Sequence, residues 1–343
     1  MSLLINIAER GLVPDTMIRT GIKYLLKQRI KEIQNNDSAT LMNDVRHSPI
    51  AIETRSANEQ HYELPAEFFE LVLGQNLKYS SALYENGAVT LDEAEKQMLN
   101  VYLERAQIKD GQNILELGCG WGSLTVWMAR HLPNAKITAI SNSRTQKVYI
   151  ESRLARENLK NVTIVTKDIN DFDTATKFDR IVSIEMFEHV RNYPELFKKV
   201  ASWLSPQGLL FVHIFCHKNF TYFFETEGDD NWMGRYFFTG GTMPSYDLFD
   251  QHQRSLDLHT KWKVNGKNYG RTSNDWLRKL DENHDAVLAV MRSTYGEAQS
   301  KIWLQRWRIF FASCAELFNY RGGEEWYVGH YLFKPKTGPF ACG

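Results

Sequence analysis

Apolar residues in the first part of the chain recur at helical spacing. Ile18, Ile22, Leu26, Ile30 and Ile33 lie among Arg19, Lys23, Lys27, Arg29 and Lys31, which predicts a basic amphipathic helix from Pro14 to Ile33. Polar residues from Asn35 to Arg46 read as a loop. Further helical patterns fall near Pro65 to Leu73 and from Thr90 to Ala106, where Thr90 and Glu93 have the spacing of a capping box. After the turn signal Asp110-Gly111 the pattern changes to short apolar runs: Ile114 to Leu117, Ile137 to Ile140, Val162 to Val165, Ile181 to Ile184 and Leu209 to Ile214. Amphipathic stretches around Ser123 to His131, Gln146 to Glu157 and Pro194 to Leu204 separate them. Runs this apolar suit strands buried on both faces, so the alternation predicts an α/β fold with a mostly parallel sheet.

Past Cys216 the regularity stops. Residues 217–256 are dense in aromatic and acidic side chains, and a strand pattern at Leu256 to Val264, a helical region from Asn274 to Phe318 and a closing strand at Tyr327 to Phe333 follow. The expected organisation is an N-terminal helical extension over residues 1–75 and one α/β domain over 76–343, with a lid at about 216–256 and a helical insertion at about 272–320.

Charge and cysteine usage narrow the function. Forty-one basic residues balance forty-one acidic ones, whereas proteins that grip nucleic acid need surplus Lys and Arg to neutralise phosphates. Cys119, Cys216, Cys314 and Cys342 are scattered, without Cys-x-x-Cys spacing, so a disulfide framework and a metal site are not expected; reduced thiols in the cytoplasm are. Leu3, Leu4, Ile5 and Ile7 stop at Glu9 and Arg10, too short a run for a signal peptide. No stretch reaches the ~20 apolar residues of a membrane span. The basic helix is expected to pack on the domain with its charged face in water, without stable membrane insertion; a homodimer is compatible with the sequence. Aromatic residues make up 13% of the chain, more than a core of this size requires.

Candidate chemistry begins at Glu116-Leu117-Gly118-Cys119-Gly120-Trp121-Gly122, a strand running through glycines into a helix. Such a loop lets a ligand approach the backbone at the C-terminal edge of the sheet. The motif resembles that of the class I methyltransferases that use S-adenosylmethionine, and Lys167-Asp168-Ile169 and Phe178-Asp179-Arg180-Ile181 resemble later stations of the same family. The resemblance implies a Rossmann-like sheet of seven strands. It also implies S-adenosylmethionine binding by Tyr79, Ser80, Glu116, Gly118, Gly120, Asn142, Gln146, Asp168, Ile169 and Ile184. Most members carry an acid after the second strand for the ribose hydroxyls; here Ser141-Asn142-Ser143 and Gln146 stand there, and amides both donate and accept.

The Asn-x-x-x-Gln arrangement, Tyr79-Ser80-Ser81 and Ile184-Glu185-Met186-Phe187-Glu188-His189 narrow the resemblance to the cyclopropane fatty acid synthase and coclaurine N-methyltransferase family. Two chemistries occur there. Lipid synthases are understood to hold a bicarbonate base with Cys, Glu, His and Tyr. Carried over, Glu188 and His213 are present, but the cysteine position is Ser81 and the tyrosine position falls in Ile309-Phe310-Phe311, without a hydroxyl. Amine methylation instead needs a proton acceptor, because an alkylamine of pKa roughly 10 exposes its lone pair at pH 7 only at a cost of about 4 kcal/mol. The resemblance places that role on Glu185 and His189, with Glu188 in support. Their i, i+4 spacing would put Glu185 and His189 on one face of a helix starting directly after the fourth strand.

The expected activity is therefore methyl transfer from S-adenosylmethionine to a small-molecule amine. A lipid-directed carbon methyltransferase and a cofactor-binding protein without catalysis are the alternatives. Gly322-Gly323-Glu324-Glu325-Trp326 near the C-terminal end and Asp229-Asp230-Asn231-Trp232 in the lid resemble the amine branch. Substrate-facing candidates are Tyr84, His213, Phe224, Trp232, Tyr236, Trp307 and Trp326, with Phe237 and Trp303, since aromatic rings attract a cationic amine by about 0.5 to 2 kcal/mol each. For His213 and His217 a structural role and a substrate contact both stay open.

Overall fold

The computed structural model describes residues 3–34, 48–52, 64–85, 87–228, 231–252 and 254–336. The expected loop from Asn35 to Arg46 and Cys342 lie outside them. The apolar runs form the strands β1 (Asn113–Leu117), β2 (Lys136–Ser141), β3 (Val162–Thr166), β4 (Phe178–Ile184) and β5 (Leu204–His217). With β8 (Leu256–Val264) and β9 (Trp326–Pro335) they make one seven-stranded sheet of order β3-β2-β1-β4-β5-β9-β8. The first five are parallel; β9 is antiparallel to β5, and β8 is antiparallel to β9.

Successive side chains of a strand point to opposite faces. In β1, Ile114 joins the core that also contains Met98 and Tyr102, while Leu115 and Leu117 join a second core around Phe197 and Val200. Helices cover both. α4 (Leu91–Arg105), α5 (Ser123–His131) and α6 (Arg144–Arg156) contribute to the first, and α7 (Tyr193–Trp203) to the second. The capping box at the start of α4 is formed: Thr90 accepts from the Glu93 amide, and Glu93 accepts from the Thr90 amide.

The N-terminal part contains α1 (Leu3–Glu9), α2 (Asp15–Gln34) and α3 (Ala66–Val72). α2 buries Ile30 and Ile33, and Arg19 pairs with Glu316 at 2.7 Å. Among the described residues no helix is long and apolar enough to cross a membrane. The region after β5 is built of short pieces: β6 (Tyr222–Phe223), α8 (Trp232–Tyr236), β7 (Thr242–Met243) and α9 (Leu248–His252). The expected single helical region resolves into three helices, α10 (Lys267–Glu282), α11 (His284–Tyr295) and α12 (Glu297–Asn319), with breaks at Asn283 and Gly296.

One local expectation fails. No α-helix starts directly after β4: Glu185 has φ of 47°, in the left-handed region, and a single 3-10 turn spans Phe187–His189. α7 starts only at Tyr193, where Asn192 caps it and Pro194 stands in its first turn. Glu185 and His189 are therefore not neighbours on a helix face. The Glu185 amide donates to the His213 carbonyl at 2.9 Å, so sheet pairing extends one residue past β4 and sets the direction of the carboxylate.

Candidate active site

Beyond β1 the chain turns through Gly118 and Gly120, with φ of 77° and 50°, where side chains other than glycine are strained. The Gly118 and Cys119 amides donate to the Ile140 carbonyl at 3.1 and 2.9 Å, which ties the loop to the end of β2. A Cβ on Gly118 would come to 2.7 Å from Met186 Cγ, whereas one on Gly120 would meet nothing within 4 Å. That open space belongs to two cavities that meet at the loop.

The first cavity, about 700 Å³ with its mouth, runs past Gly118, Gly120, Ser141, Asn142, Gln146, Lys167 and Ile169 to Glu185 and His189. Gln146 Oε1 accepts from the Ser141 hydroxyl at 2.7 Å, while Gln146 Nε2 is buried with no protein partner. An unpaired buried donor is costly unless a ligand accepts from it. The second cavity, about 510 Å³, is lined by Lys78, Tyr79, Ser80, Glu116, Ile184 and Glu185 around the same two glycines. Glu116 accepts from the Thr125 hydroxyl at 2.5 Å, and burial pushes its carboxyl up to about 8. Open backbone at Gly120, the free donor of Gln146 and the adjoining Asn142 fit an adenosyl group with a ribose diol. Asp168 lines neither cavity; its carboxylate accepts from the Asn170 amide and side chain at 2.8 and 2.9 Å. Lys167 and Ile169 on either side of it do line the first.

Glu185 is common to both cavities and to a third. Its Oε1 accepts from the Ser81 amide at 3.0 Å and from His213 Nε2 at 2.9 Å; Oε2 accepts from the Tyr269 hydroxyl at 2.6 Å. A hydroxyl thus does reach this centre, from α10 rather than from residues 309–311. Burial raises the Glu185 carboxyl above its usual range, opposed chiefly by the charge of Lys78. Lys78, itself buried, donates to the Ser80 hydroxyl and the Ser81 carbonyl at 2.5 and 2.6 Å, and burial lowers its ammonium to about 7.

The third cavity, about 460 Å³, lies beyond Glu185 and is lined by Glu188, His189, Tyr79, Phe215, Phe238, Tyr269, Trp276, Phe310 and Cys314. Glu188 is 1% exposed and its Oε2 has no partner; burial, then the neighbouring charge of Glu185, raises its carboxyl well above the usual range. His189 stacks on Phe238 with ring centres 5.0 Å apart, and burial lowers its imidazole to about 4. At neutral pH the chamber holds a neutral imidazole and a carboxyl with one oxygen unpaired, walled by rings.

The structure brings Glu185, Glu188 and His189 together, but not the expected substrate residues. Trp307 and Trp326 are fully buried core, and Trp326 Nε1 donates to the Tyr222 hydroxyl at 3.0 Å. Tyr84 donates to Asp275 at 2.6 Å, and Tyr236 packs under Arg306 at 3.9 Å. Phe237 stacks on Phe310 and Trp303 on Tyr295, with centres 4.3 and 4.4 Å apart. Phe224 and Trp232 line a separate groove against α2. His213 stands one layer behind Glu185, and His217 Nδ1 accepts from the Asn219 and Phe220 amides at 3.1 and 2.9 Å. The rings that line the chamber are others: Phe238 falls in the aromatic-dense stretch 217–256, whereas Lys78, Phe215, Tyr269, Trp276 and Cys314 carry no local sequence signal for this site.

A seven-stranded sheet of this order, with a glycine loop and an adenosyl-fitting cleft at its C-terminal edge, defines an S-adenosylmethionine-dependent methyltransferase. The chain belongs to the mycolic acid cyclopropane synthetase family, whose pattern matches residues 51–324. It is 38% identical to (S)-coclaurine N-methyltransferase of Thalictrum flavum subsp. glaucum over 97% of this chain and 95% of the relative. A crystal structure of coclaurine N-methyltransferase bound to N-methylheliamine and SAH superposes with a TM-score of 0.92 at 38% identity, covering 96% of this chain and 98% of that one. A cyclopropane synthase from Mycobacterium tuberculosis shares the fold, with a TM-score of 0.70 at 21% identity over 82% of this chain and 98% of that chain.

Proposed function

We propose that the enzyme transfers the methyl group of S-adenosylmethionine to the nitrogen of a small amine bearing an apolar, ring-containing body. One observation carries the reading: the carboxylate of Glu185 already accepts three hydrogen bonds from its own chain, while beside it Glu188, whose Oε2 has no partner, lines a ring-walled chamber. Ser81, His213 and Tyr269 are already engaged by that carboxylate, so they are not free to hold an added base for alkene chemistry. The ligand named for the solved relative, N-methylheliamine, is in keeping with an amine acceptor.

S-adenosylmethionine supplies a methyl already activated on a sulfonium. The chain's own groups handle the amine. An ammonium entering the chamber is attracted by the ring faces, by about 0.5 to 2 kcal/mol each, and by Glu188. Burial penalises both members of an ammonium–carboxylate pair, so Glu188 in its ionised form takes the proton at low cost and leaves the lone pair free. Neutral His189 accepts from the amine or from Glu188, and Glu185 provides a fixed negative charge between acceptor and cofactor.

A panel of amines tests the reading. Cyclic amines carrying an aryl ring are expected to give kcat/KM at least about tenfold above small aliphatic amines, as an aromatic chamber contributes about 1 to 3 kcal/mol. The rate is expected to fall as pH drops through about 7, where Glu185 takes up a proton. Faster turnover of small hydrophilic amines, or a rate indifferent to pH on the acid side, contradicts the reading. The enzyme is proposed to act in the cytoplasm.

A further inference from the structure

A row of side chains runs across the sheet behind Glu185, and the chemistry above uses only its first member. Strand register produces it: His213 on β5 stands opposite Ile184 on β4 and opposite His330 on β9. Glu185 follows Ile184, so the three groups succeed one another at the inter-strand spacing of about 4.8 Å. His213 Nε2 lies 2.9 Å from Glu185 Oε1, and His213 Nδ1 lies 2.8 Å from His330 Nε2. The row ends at Arg105 on α4, whose Nη1 is 2.7 Å from His330 Nδ1 and whose guanidinium lies 5.1 Å over the Trp262 ring.

Donor and acceptor roles along this row follow from its outer end. A guanidinium only donates, so His330 Nδ1 accepts and its ring carries the proton on Nε2. That N–H points at His213 Nδ1, which therefore accepts, leaving the His213 proton on Nε2. The His213 Nε2–H then donates to Glu185. Both rings are neutral, because burial holds their imidazoles well below the usual range. The Tyr102 hydroxyl lies 3.0 Å from the same nitrogen and closes the row on that side.

We propose that Arg105 and His330 are positioning residues for methyl transfer: by fixing the tautomers of both histidines they present an N–H to Glu185 and keep its carboxylate anionic. The proposal rests on the reading of Glu185 as the fixed charge of the site. Without Arg105 the row can reverse. His330 then carries its proton on Nδ1, His213 donates from Nδ1 to His330 Nε2, and the bare Nε2 of His213 faces Glu185. The carboxylate relieves that contact by taking one proton from solvent; no other bond changes. Lys78 faces Glu185 from the 77–81 segment and opposes the uptake, Glu188 favours it, and Tyr269, Cys314 and His189 face it as neutral groups.

Long-range proton–nitrogen spectra of histidine-labelled protein read the tautomers without any substrate. In the wild type, His213 and His330 are both expected to carry the proton on Nε2 across the neutral pH range. In Arg105→Met, His330 is expected to move its proton to Nδ1. The acid limb of kcat is expected to rise by about one pH unit, with KM for S-adenosylmethionine unchanged. Arg105→Lys, which also only donates, is expected to retain both the wild-type tautomers and the wild-type limb. A wild-type His213 protonated on Nδ1 overturns the proposal, as does an Arg105→Met protein with unaltered tautomers and pH profile. Should the wild type methylate no amine, the spectra still decide the tautomers, so failure of the functional reading is told apart from failure of this one.

Discussion

Glu188→Gln is expected to lower kcat for amine methylation by about 100- to 10,000-fold, the span over which a positioned proton acceptor contributes. Glutamine keeps the volume and polarity of the side chain but cannot take up the proton. Glu188 lines the ring-walled chamber and neither of the two cavities that fit the cofactor, so the affinity for S-adenosylmethionine is expected to be retained. Single-turnover kinetics with calorimetric titration of the cofactor separates the two effects. A rate near that of the wild type would assign the proton to another group.

The second large effect is on the cofactor. Valine at Gly118 would have to hold a backbone at φ 77°, at a cost of order 1–3 kcal/mol for a side chain other than glycine, and its Cβ would stand 2.7 Å from Met186 Cγ. Binding of S-adenosylmethionine is expected to weaken by about 10- to 100-fold, as those energies convert at 1.36 kcal/mol per tenfold. Gly21→Ala is the control: its Cβ would meet nothing within 4 Å in the middle of α2, where alanine favours the helix. Unaltered cofactor affinity in Gly118→Val would remove the glycine loop from the binding site.

The sheet was legible because a strand buried on both faces has a local signature. Ile137 to Ile140 and Val162 to Val165 read as apolar runs before any tertiary contact is known, and Thr90 with Glu93 marks the start of α4. The glycine loop was legible for the same local reason. The turn after β4 was not. The residues 184–189 carry a helical spacing of polar groups, but the Glu185 amide is captured by the His213 carbonyl on a strand 28 residues away, and that bond forces the left-handed kink. Nor could the sequence tell which aromatic residues face the chamber. Trp307 and Phe310 both lie on α12, three residues apart; Trp307 is sealed in the core while Phe310 lines the cavity. Tyr269 reaches Glu185 from α10, a contact across 84 residues with no spacing to announce it.

The most direct test of the account is competitive transfer of labelled methyl from S-adenosylmethionine when the enzyme is offered an aryl-bearing cyclic amine together with vesicles of unsaturated phospholipid. Label is expected on the amine nitrogen, with none in the lipid. Label in cyclopropane or methyl-branched acyl chains, with no N-methylated product, would contradict it.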